Sequence, residues 1–444
     1  MFKLPSYVNL ALDILNSKGE AFIVGGCVRD LLLRREPHDY DITTNLKPYE
    51  VQELFKDYKQ FNNNGLSHGT VTVLIDSYPL EITTYRIDGK YSDGRHPSSV
   101  DFTDDLKLDL SRRDFTINAM AYNSNLGLID FFNGISDLKT GIIRTVGDPY
   151  KRFNEDYLRI LRALRFKGRF KFNIETNTKY SMQLLAPNLN LISSERINQE
   201  LHQILISDDI LNILLDYKEI IKAIIPEMEK NFDFNQYSKW HFHDVYSHIA
   251  YVTSYVKQDF TLRLAALLHD IGKGYCFQEE LIDGKLVRHF RGHAEKSCEI
   301  SRVILNRLRV SNEEKEEILY LILNHDYPLE SDKSIKKLIL KTKDRSLDLI
   351  LKLIDLKEAD HKDHLINSYD IDNLRNRVIY IYNSLDALTI KDLKINGNDL
   401  INLGIKGPKI GFYLNECFNK VFNNELQNDH KILLEYIKEM VNSN

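Results

Sequence analysis

The apolar pattern of this chain changes period near Asp148, and that change constrains the fold more than any other feature. Before it, short segments switch repeatedly. Tyr7 to Asn16 spaces its apolar residues as a helix does, Ala21 to Val24 is a short apolar run ending in Gly25-Gly26, and Val28 to Leu33 reads as helix again. Val71 to Ile75 and Leu80 to Tyr85 read as two strands joined across Ser77-Tyr78-Pro79, and Gly89 to Pro97 reads as a loop. After it, long segments such as Tyr157 to Phe166 and Ile197 to Leu205 keep i, i+3, i+4 apolar spacing. Breaks fall near Asn231 to Trp240, Gln278 to His289 and Asn367 to Asp372. The expectation is an α+β chain, with a small mixed β-sheet and flanking helices first and an all-α remainder. At 444 residues, and roughly 150 residues per domain, about three domains are expected.

Composition excludes several classes. With 43% hydrophobic and 28% charged residues, the chain can bury a sizeable core and is not disordered. No stretch approaches the roughly 18 uncharged apolar residues of a membrane span, and the first twenty residues lack the layout of a secretion signal, so a cytoplasmic protein is expected. The four cysteines form no C-x-x-C pair, which argues against a disulfide framework or a thiolate zinc site. A net charge of −5 argues against a surface coated in nucleic acid but leaves room for a local basic cleft. No fixed-period repeat or low-complexity tract is present.

The segment AFIVGGCVRDLLLRREPHDYDITT orders a strand, Gly25-Gly26, a helix carrying Arg29 and Asp30, and then Asp39-Tyr40-Asp41. Two glycines let backbone amides approach a polyphosphate, a helix start adds its positive end, and Arg29 can fork onto phosphate oxygens. If Asp39 and Asp41 stand at i and i+2 on a strand, both carboxylates aim at one place, where their repulsion calls for divalent metal. Taken alone, D-x-D is also what a solvated acidic pair on a surface strand looks like. In this order the parts resemble the polymerase-beta-type nucleotidyltransferase superfamily.

Further motifs narrow the resemblance. SRRDFTINAMAY carries Arg112, Arg113, Asp114 and Asn118; NEDYLRILRALRFKGRF carries Glu155, Asp156, Arg159, Arg162 and Arg165; SSERINQEL carries Glu195 and Arg196. From about Ala21 to Leu205 the chain resembles class II tRNA nucleotidyltransferases, the CCA-adding enzymes and their poly(A) polymerase relatives. Within E-D-x-x-R, a helix would put Asp156 and Arg159 on one face, an acceptor beside a two-pronged donor that suits the edge of cytosine or adenine; an ordinary intrahelical salt bridge is the plain alternative. The resemblance implies that Arg113 and Asp114 contact the nucleotide and that Asn118 shapes its pocket. It implies catalysis by Asp39 and Asp41 with Mg²⁺, and nucleotide binding by Gly25, Gly26, Arg29, Asp156, Arg159, Arg162 and Arg165. Glu81 is a weaker candidate for a third metal carboxylate, as is Glu155 for the nucleotide site. The segment RIDGKYSDGRHPSSVDFTDDL keeps the full loop of CCA- and A-adding members, with Asp93, Gly94, Arg95 and Pro97.

Five histidine-bearing segments follow: FHDVYSHIAYV, RLAALLHDIGKG, RGHAEKS, LILNHDYPLE and LIDLKEADHKDH. Together they resemble an HD phosphohydrolase domain. Its metal ligands carry over as His248, His269, Asp270 and Asp360, with His293 and His325 where two-metal members hold a second ion, and Lys273 in HDIGK. Asp355 and Asp363 lie close enough in sequence to exchange with Asp360. Imidazole with carboxylate suits Mg²⁺, Mn²⁺, Ni²⁺ or Fe²⁺. Near the end, Gly404, Lys406, Gly407, Pro408, Lys409 and Gly411 make either an anion cradle for a tRNA backbone or a plain helix–helix turn.

The resemblance implies a head at 1–147, a helical neck at 148–215, an HD domain at 216–370 and a tRNA-binding tail at 371–444. It implies addition of C, C and A to the tRNA 3′ end from CTP and ATP, with pyrophosphate released, by a monomer or homodimer. A poly(A) polymerase, or an HD phosphohydrolase whose head binds RNA, are the alternatives.

Overall fold

The computed structural model describes residues 2–61, 66–89, 99–238, 243–342, 346–362, 370–385, 387 and 389–442. They form two compact units, Met1–Glu229 with Asn306–Arg309, and Lys230–Leu305 with Val310–Asn444.

Among the described residues the first unit carries β1 (Ala21–Val24), β2 (Asp41–Thr44), β3 (Lys59–Phe61), β4 (Thr70–Ile75), β5 (Tyr78–Thr84), β6 (Arg86–Asp88), β7 (Val100–Phe102), β8 (Met120–Asn123) and β9 (Gly127–Asp130), and a short parallel pair, Ile142–Ile143 with Asn173–Ile174. Seven make one sheet in the order β3-β4-β5-β2-β1-β8-β9, mixed because β2 and β5 run parallel. All four residues of β1 are buried, as a continuous apolar run in a central strand requires. The helix Ser6–Asn16 buries Val8, Ala11, Leu12 and Leu15 along one stripe. Phe22, Val24, Tyr85, Leu110 and Ala121 share a further core cluster.

Two local expectations shift. The β4–β5 hairpin turns at Asp76 and Ser77, whose φ values of 49° and 69° give the left-handed two-residue turn that matches strand twist; Tyr78 and Pro79 already belong to β5. The segment read as a loop before the arginine pair is flanked by the β6–β7 pairing, while Asp93, Gly94, Arg95 and Pro97 lie outside the described residues.

Beyond Asp148 the first unit continues in helices, chiefly Pro149–Glu155, Leu158–Phe170, Thr176–Leu185 and Ser194–Leu205. The second unit is helical as expected, with one correction: the break at Gln278 to His289 is a β-hairpin, Gln278–Ile282 paired with Lys285–His289 across Asp283 and Gly284. Its helix Phe260–Leu268 is buried on every side. A terminal cluster around Leu400, Cys417, Val421, Leu433 and Ile437 forms a separate core. All four cysteines are free thiols. Among the described residues no helix is long and apolar enough to cross a membrane.

Candidate active site and a second metal-ligand cluster

A cavity of about 540 Å³ in the first unit collects the sequence-predicted residues. The glycine turn contributes Gly25 and Gly26. Gly25 has φ 80°, and a Cβ there would stand 3.0 Å from Arg113 Nη1, so both its backbone and its lack of a side chain serve the site. Arg29 is buried, donates to Asn118 Oδ1 at 2.6 Å and pairs with Asp30 at 2.9 Å. Asp39 and Asp41 line the same cavity. Asp39 precedes β2 rather than lying on it, a correction to the strand reading, yet the exposed-buried-exposed order of Asp39, Tyr40 and Asp41 keeps both acids on one side.

Electrostatics mark the carboxylates. The cavity wall strips solvent from the Asp41 carboxyl, although the residue keeps surface exposure, and this desolvation pushes it up to about 6; the Arg113 charge opposes this, and Asp39 and Glu81 add to it. Glu81 stands directly across from Asp41 in the β2–β5 ladder. A cation would relieve this repulsion, and the oxygen-only donor set fits Mg²⁺.

Arg113 is itself held from behind. Asp109, fully buried, accepts from Arg112 Nε and Nη2 at 3.0 and 2.9 Å and from Thr43 Oγ1 at 3.2 Å, and stands 3.6 Å from Arg113 Nη2. Sequence reasoning missed this residue; its signal was its place four before Arg113, one helical turn away. Asp114 is buried, and burial alone would raise its pKa, but the Arg162 charge with bonds from Asn118 and Arg162 holds it well below the usual carboxylate range. Arg162 donates to it through Nε and Nη2 at 2.8 and 2.6 Å.

The predicted Asp156–Arg159 face requires correction. The chain leaves helical geometry at Asp156 (φ −147°, ψ 106°), which separates the helices Pro149–Glu155 and Leu158–Phe170. Both side chains line the cavity, but Asp156 pairs with Arg196 at 2.9 Å, and Arg159 with Glu155 at 2.5 Å. Glu155 also takes Arg152 at 2.7 Å and serves as a brace. Arg165 lines the cavity and pairs with buried Glu200 at 3.2 Å; Phe166, Arg169 and Arg196 line it as well, outside the predicted nucleotide set.

In the second unit the histidine pattern also converges. His248 Nε2 lies 3.0 Å from Asp360 Oδ1 and 3.4 Å from Asp270 Oδ2, and His269 Nε2 lies 3.3 Å from Asp270 Oδ2. His248, His269 and Asp270 form one potential ligand triad; Asp270, His293 and His325 form another. Lys273 Nζ sits 2.6 Å from Asp270 and 3.0 Å from Gln236. Asp355 is committed elsewhere, to Lys257 at 2.9 Å and Arg375 at 2.8 Å, while Asp363 lies outside the described residues.

The tautomers bear on what this cluster can hold. Nδ1 of His269, His293 and His325 faces the carbonyl oxygen of Ala266, Phe290 and Ile322 at 2.7, 2.8 and 2.7 Å. A carbonyl only accepts, so each Nδ1 carries the proton and each Nε2 of a neutral ring presents a lone pair, the arrangement of metal-ligating histidines. His293 and His325 then face each other Nε2 to Nε2 at 3.1 Å, two lone pairs that a cation would reconcile. Burial, with neighbouring His269, lowers His325 to about 4. The donor set fits a divalent ion.

In the tail, Gly404 and Gly407, at φ 84° and 63°, turn the chain into the helix Pro408–Phe422, with Lys406 and Lys409 exposed.

The chain is similar to known proteins over most of its length. A model of the poly A polymerase head domain matches residues 21–144, one of the RNA- and SrmB-binding site of polymerase A matches 171–232, and one of tRNA nucleotidyltransferase domain 2 matches 293–437. Over 450 aligned residues the chain is 32% identical to the CCA-adding enzyme of Lactococcus lactis subsp. cremoris, covering 99% of this chain and 98% of that one. It is 48% identical over 202 residues to the CCA-adding enzyme of Lactobacillus helveticus, 45% of this chain and 50% of that protein. The crystal structure of the Bacillus stearothermophilus CCA-adding enzyme in complex with CTP matches at TM-score 0.75 and 25% identity, over 99% of each chain. The Thermotoga maritima CCA-adding enzyme complexed with tRNA shares the fold at TM-score 0.62 and 23% identity, over 99% of this chain and 96% of that one.

Proposed function

The chain belongs to the CCA-adding enzymes, and from that premise we propose that its first unit adds C, C and A to the 3′ end of tRNA from CTP and ATP. One observation carries the reading: eight arginines and the Asp39–Asp41 carboxylates converge on one cavity behind a glycine turn. The 3′-hydroxyl attacks the α-phosphorus, the bond to the bridging oxygen breaks, and pyrophosphate leaves. Asp39 and Asp41, with Glu81 beside them, would hold Mg²⁺, which supplies charge neutralisation and activation of the hydroxyl when bound. Gly25 and Gly26 offer backbone to the triphosphate, and Arg29 and Arg113 bring donors to its oxygens. Asp114 and Asn118 set the Arg162 and Arg29 guanidiniums in place. Asp156 and Arg159 read the base edge, exchanging their partners Arg196 and Glu155 for the cytosine or adenine edge. The proposed setting is the cytoplasm.

Incubation with tRNA lacking all of CCA, tRNA ending in its first C and tRNA ending in CC, using labelled CTP and ATP, tests this reading. Three added nucleotides support it; a long adenylate tail identifies a poly(A) polymerase instead; no incorporation refutes both.

A second activity rests on a separate observation, the facing Nε2 atoms of His293 and His325 beside Asp270. We propose that His248, His269, Asp270 and Asp360 hold a divalent ion, that His293 and His325 complete a second position, and that the unit hydrolyses phosphate esters such as 2′,3′-cyclic phosphates. A metal bound there would supply Lewis-acid activation of the ester. Elemental analysis and phosphate release with Ni²⁺, Mn²⁺ or Mg²⁺ supplied test the two claims separately.

A further inference from the structure

Phe166 stands on the helix Leu158–Phe170, only 3% exposed, with its ring in the wall of the nucleotide cavity. Three guanidiniums gather on it: the Cζ atoms of Arg29, Arg162 and Arg165 lie 5.3, 5.6 and 5.0 Å from the ring centroid. Three cations around one point repel each other, and a ring face is the apolar surface that attracts them instead. Each also has a carboxylate: Asp30 for Arg29 at 2.9 Å, Asp114 for Arg162 at 2.6 Å and Glu200 for Arg165 at 3.2 Å. Carboxylate and ring together constrain a guanidinium in position and orientation.

The ring is itself clamped. Phe115 meets it edge-on at 5.6 Å and 86°, and Phe170 stacks at 6.0 Å and 12° while taking Arg29 on its own face at 4.9 Å. Arg29 comes from the helix behind the glycine turn, and Arg162 and Arg165 from the helix that follows Asp156. The ring therefore joins the cation assigned to the triphosphate with cations from the helix that carries Arg159.

We propose that Phe166 is a positioning residue for nucleotide binding, a shared aromatic platform that sets the spacing of Arg29, Arg162 and Arg165 before CTP or ATP arrives. The inference rests on the assignment of this cavity to the nucleotide. A π face is what the role requires, so size alone should not replace it, whereas tyrosine should.

The test measures CTP and ATP binding and incorporation kinetics for the full-length parent, Phe166→Leu and Phe166→Tyr. Leucine fills most of the volume without a π face; its Kd and KM for both nucleotides should rise about tenfold, with kcat at saturation within about threefold of the parent. Tyrosine should stay within about twofold of the parent throughout. If the leucine variant fails to fold, Phe166→Met repeats the test with a flexible apolar side chain. Parent-like nucleotide affinity in a folded leucine or methionine variant, or equal weakening in the tyrosine variant, overturns the platform. A parent that binds neither CTP nor ATP overturns the nucleotide assignment itself.

Discussion

Replacing Arg162 by methionine should destabilise the first unit and change how it responds to acid, because Arg162 neutralises a buried carboxylate. Asp114 Oδ2 receives both Arg162 bonds, at 2.8 and 2.6 Å, while Oδ1 keeps the Phe115 N–H at 2.8 Å and Asn118 at 3.0 Å. Breaking a buried pair from one side costs about 3–5 kcal/mol. The Arg162 side chain is 33% exposed against 9% for Asp114, so water partly replaces it and the expected loss is about 2–3 kcal/mol. For a unit of this size that is a drop of roughly 4–12 °C in unfolding midpoint. Asp114→Asn keeps the shape and removes the charge, so the double variant should lose less than the two single losses summed, by about 1.5 kcal/mol or more. The sign of the pH effect follows from a folded-state pKa held below the unfolded value. Asp114 contributes stability above about pH 4 and loses it as pH falls toward the folded pKa, so Arg162→Met should flatten the acid limb of the stability curve. Denaturation of the four proteins from pH 2 to 7 measures both quantities. A coupling below about 0.5 kcal/mol, or an acid limb unchanged in Arg162→Met, refutes the argument.

Asp39→Ala or Asp41→Ala should reduce CTP and ATP incorporation together by more than tenfold while tRNA binding persists; retention of either incorporation within tenfold contradicts the catalytic assignment. Because the Asp41 carboxyl is pushed up to about 6 and metal needs its ionised form, the Mg²⁺ concentration for half-maximal rate should climb as pH falls below about 6, whereas a flat requirement from pH 5 to 7 contradicts this. Replacing Asp156 and Arg159 together by alanine should let UTP and GTP gain on CTP and ATP, with roughly 1–3 kcal/mol of preference lost per base-edge pair; unchanged selectivity in competition assays returns both to salt bridging. His269→Ala with Asp270→Ala should remove bound metal and any cyclic-phosphate hydrolysis while CCA addition stays near the parent rate, and a parent lacking metal and hydrolysis under every supplied ion would falsify the second activity.

What was readable in the sequence depended on how local its cause was. The β1 strand and the glycine turn were legible because four apolar residues and two glycines specify them within six positions. The hairpin at Gln278–His289 escaped because its first strand is exposed throughout and shows no apolar alternation; Asp283-Gly284 was its only signal. The two-residue turn at Asp76-Ser77 was displaced in the reading by Pro79, a turn former that here sits inside a strand. At the site, residue types and their order pointed to the cavity, but partners did not. Asp156 meets Arg196 forty residues on, and Arg162 meets Asp114 forty-eight residues back. Helical spacing predicted the wrong neighbour for Asp156 because the helix breaks at that residue.

Those distant partners bear on how a nucleotide would enter. The cavity lining carries eight arginines and four aspartates, and the arginines are already tied to carboxylates, among them Asp30, Asp109, Glu155 and Glu200 outside the lining. Such arginines are preorganised and lose little conformational entropy when a triphosphate arrives, so a polyanion meets donors without having to order long side chains. The charge is uneven, however. Asp41, Asp39 and Glu81 stand together, and their repulsion adds to the desolvation that lifts the Asp41 carboxyl. A bare triphosphate approaching that corner would be repelled, and a bare cation approaching the arginines would be too. Nucleotide and divalent metal therefore satisfy the cavity only together, which makes metal-dependent nucleotide affinity, and not only metal-dependent rate, the consequence of this charge layout.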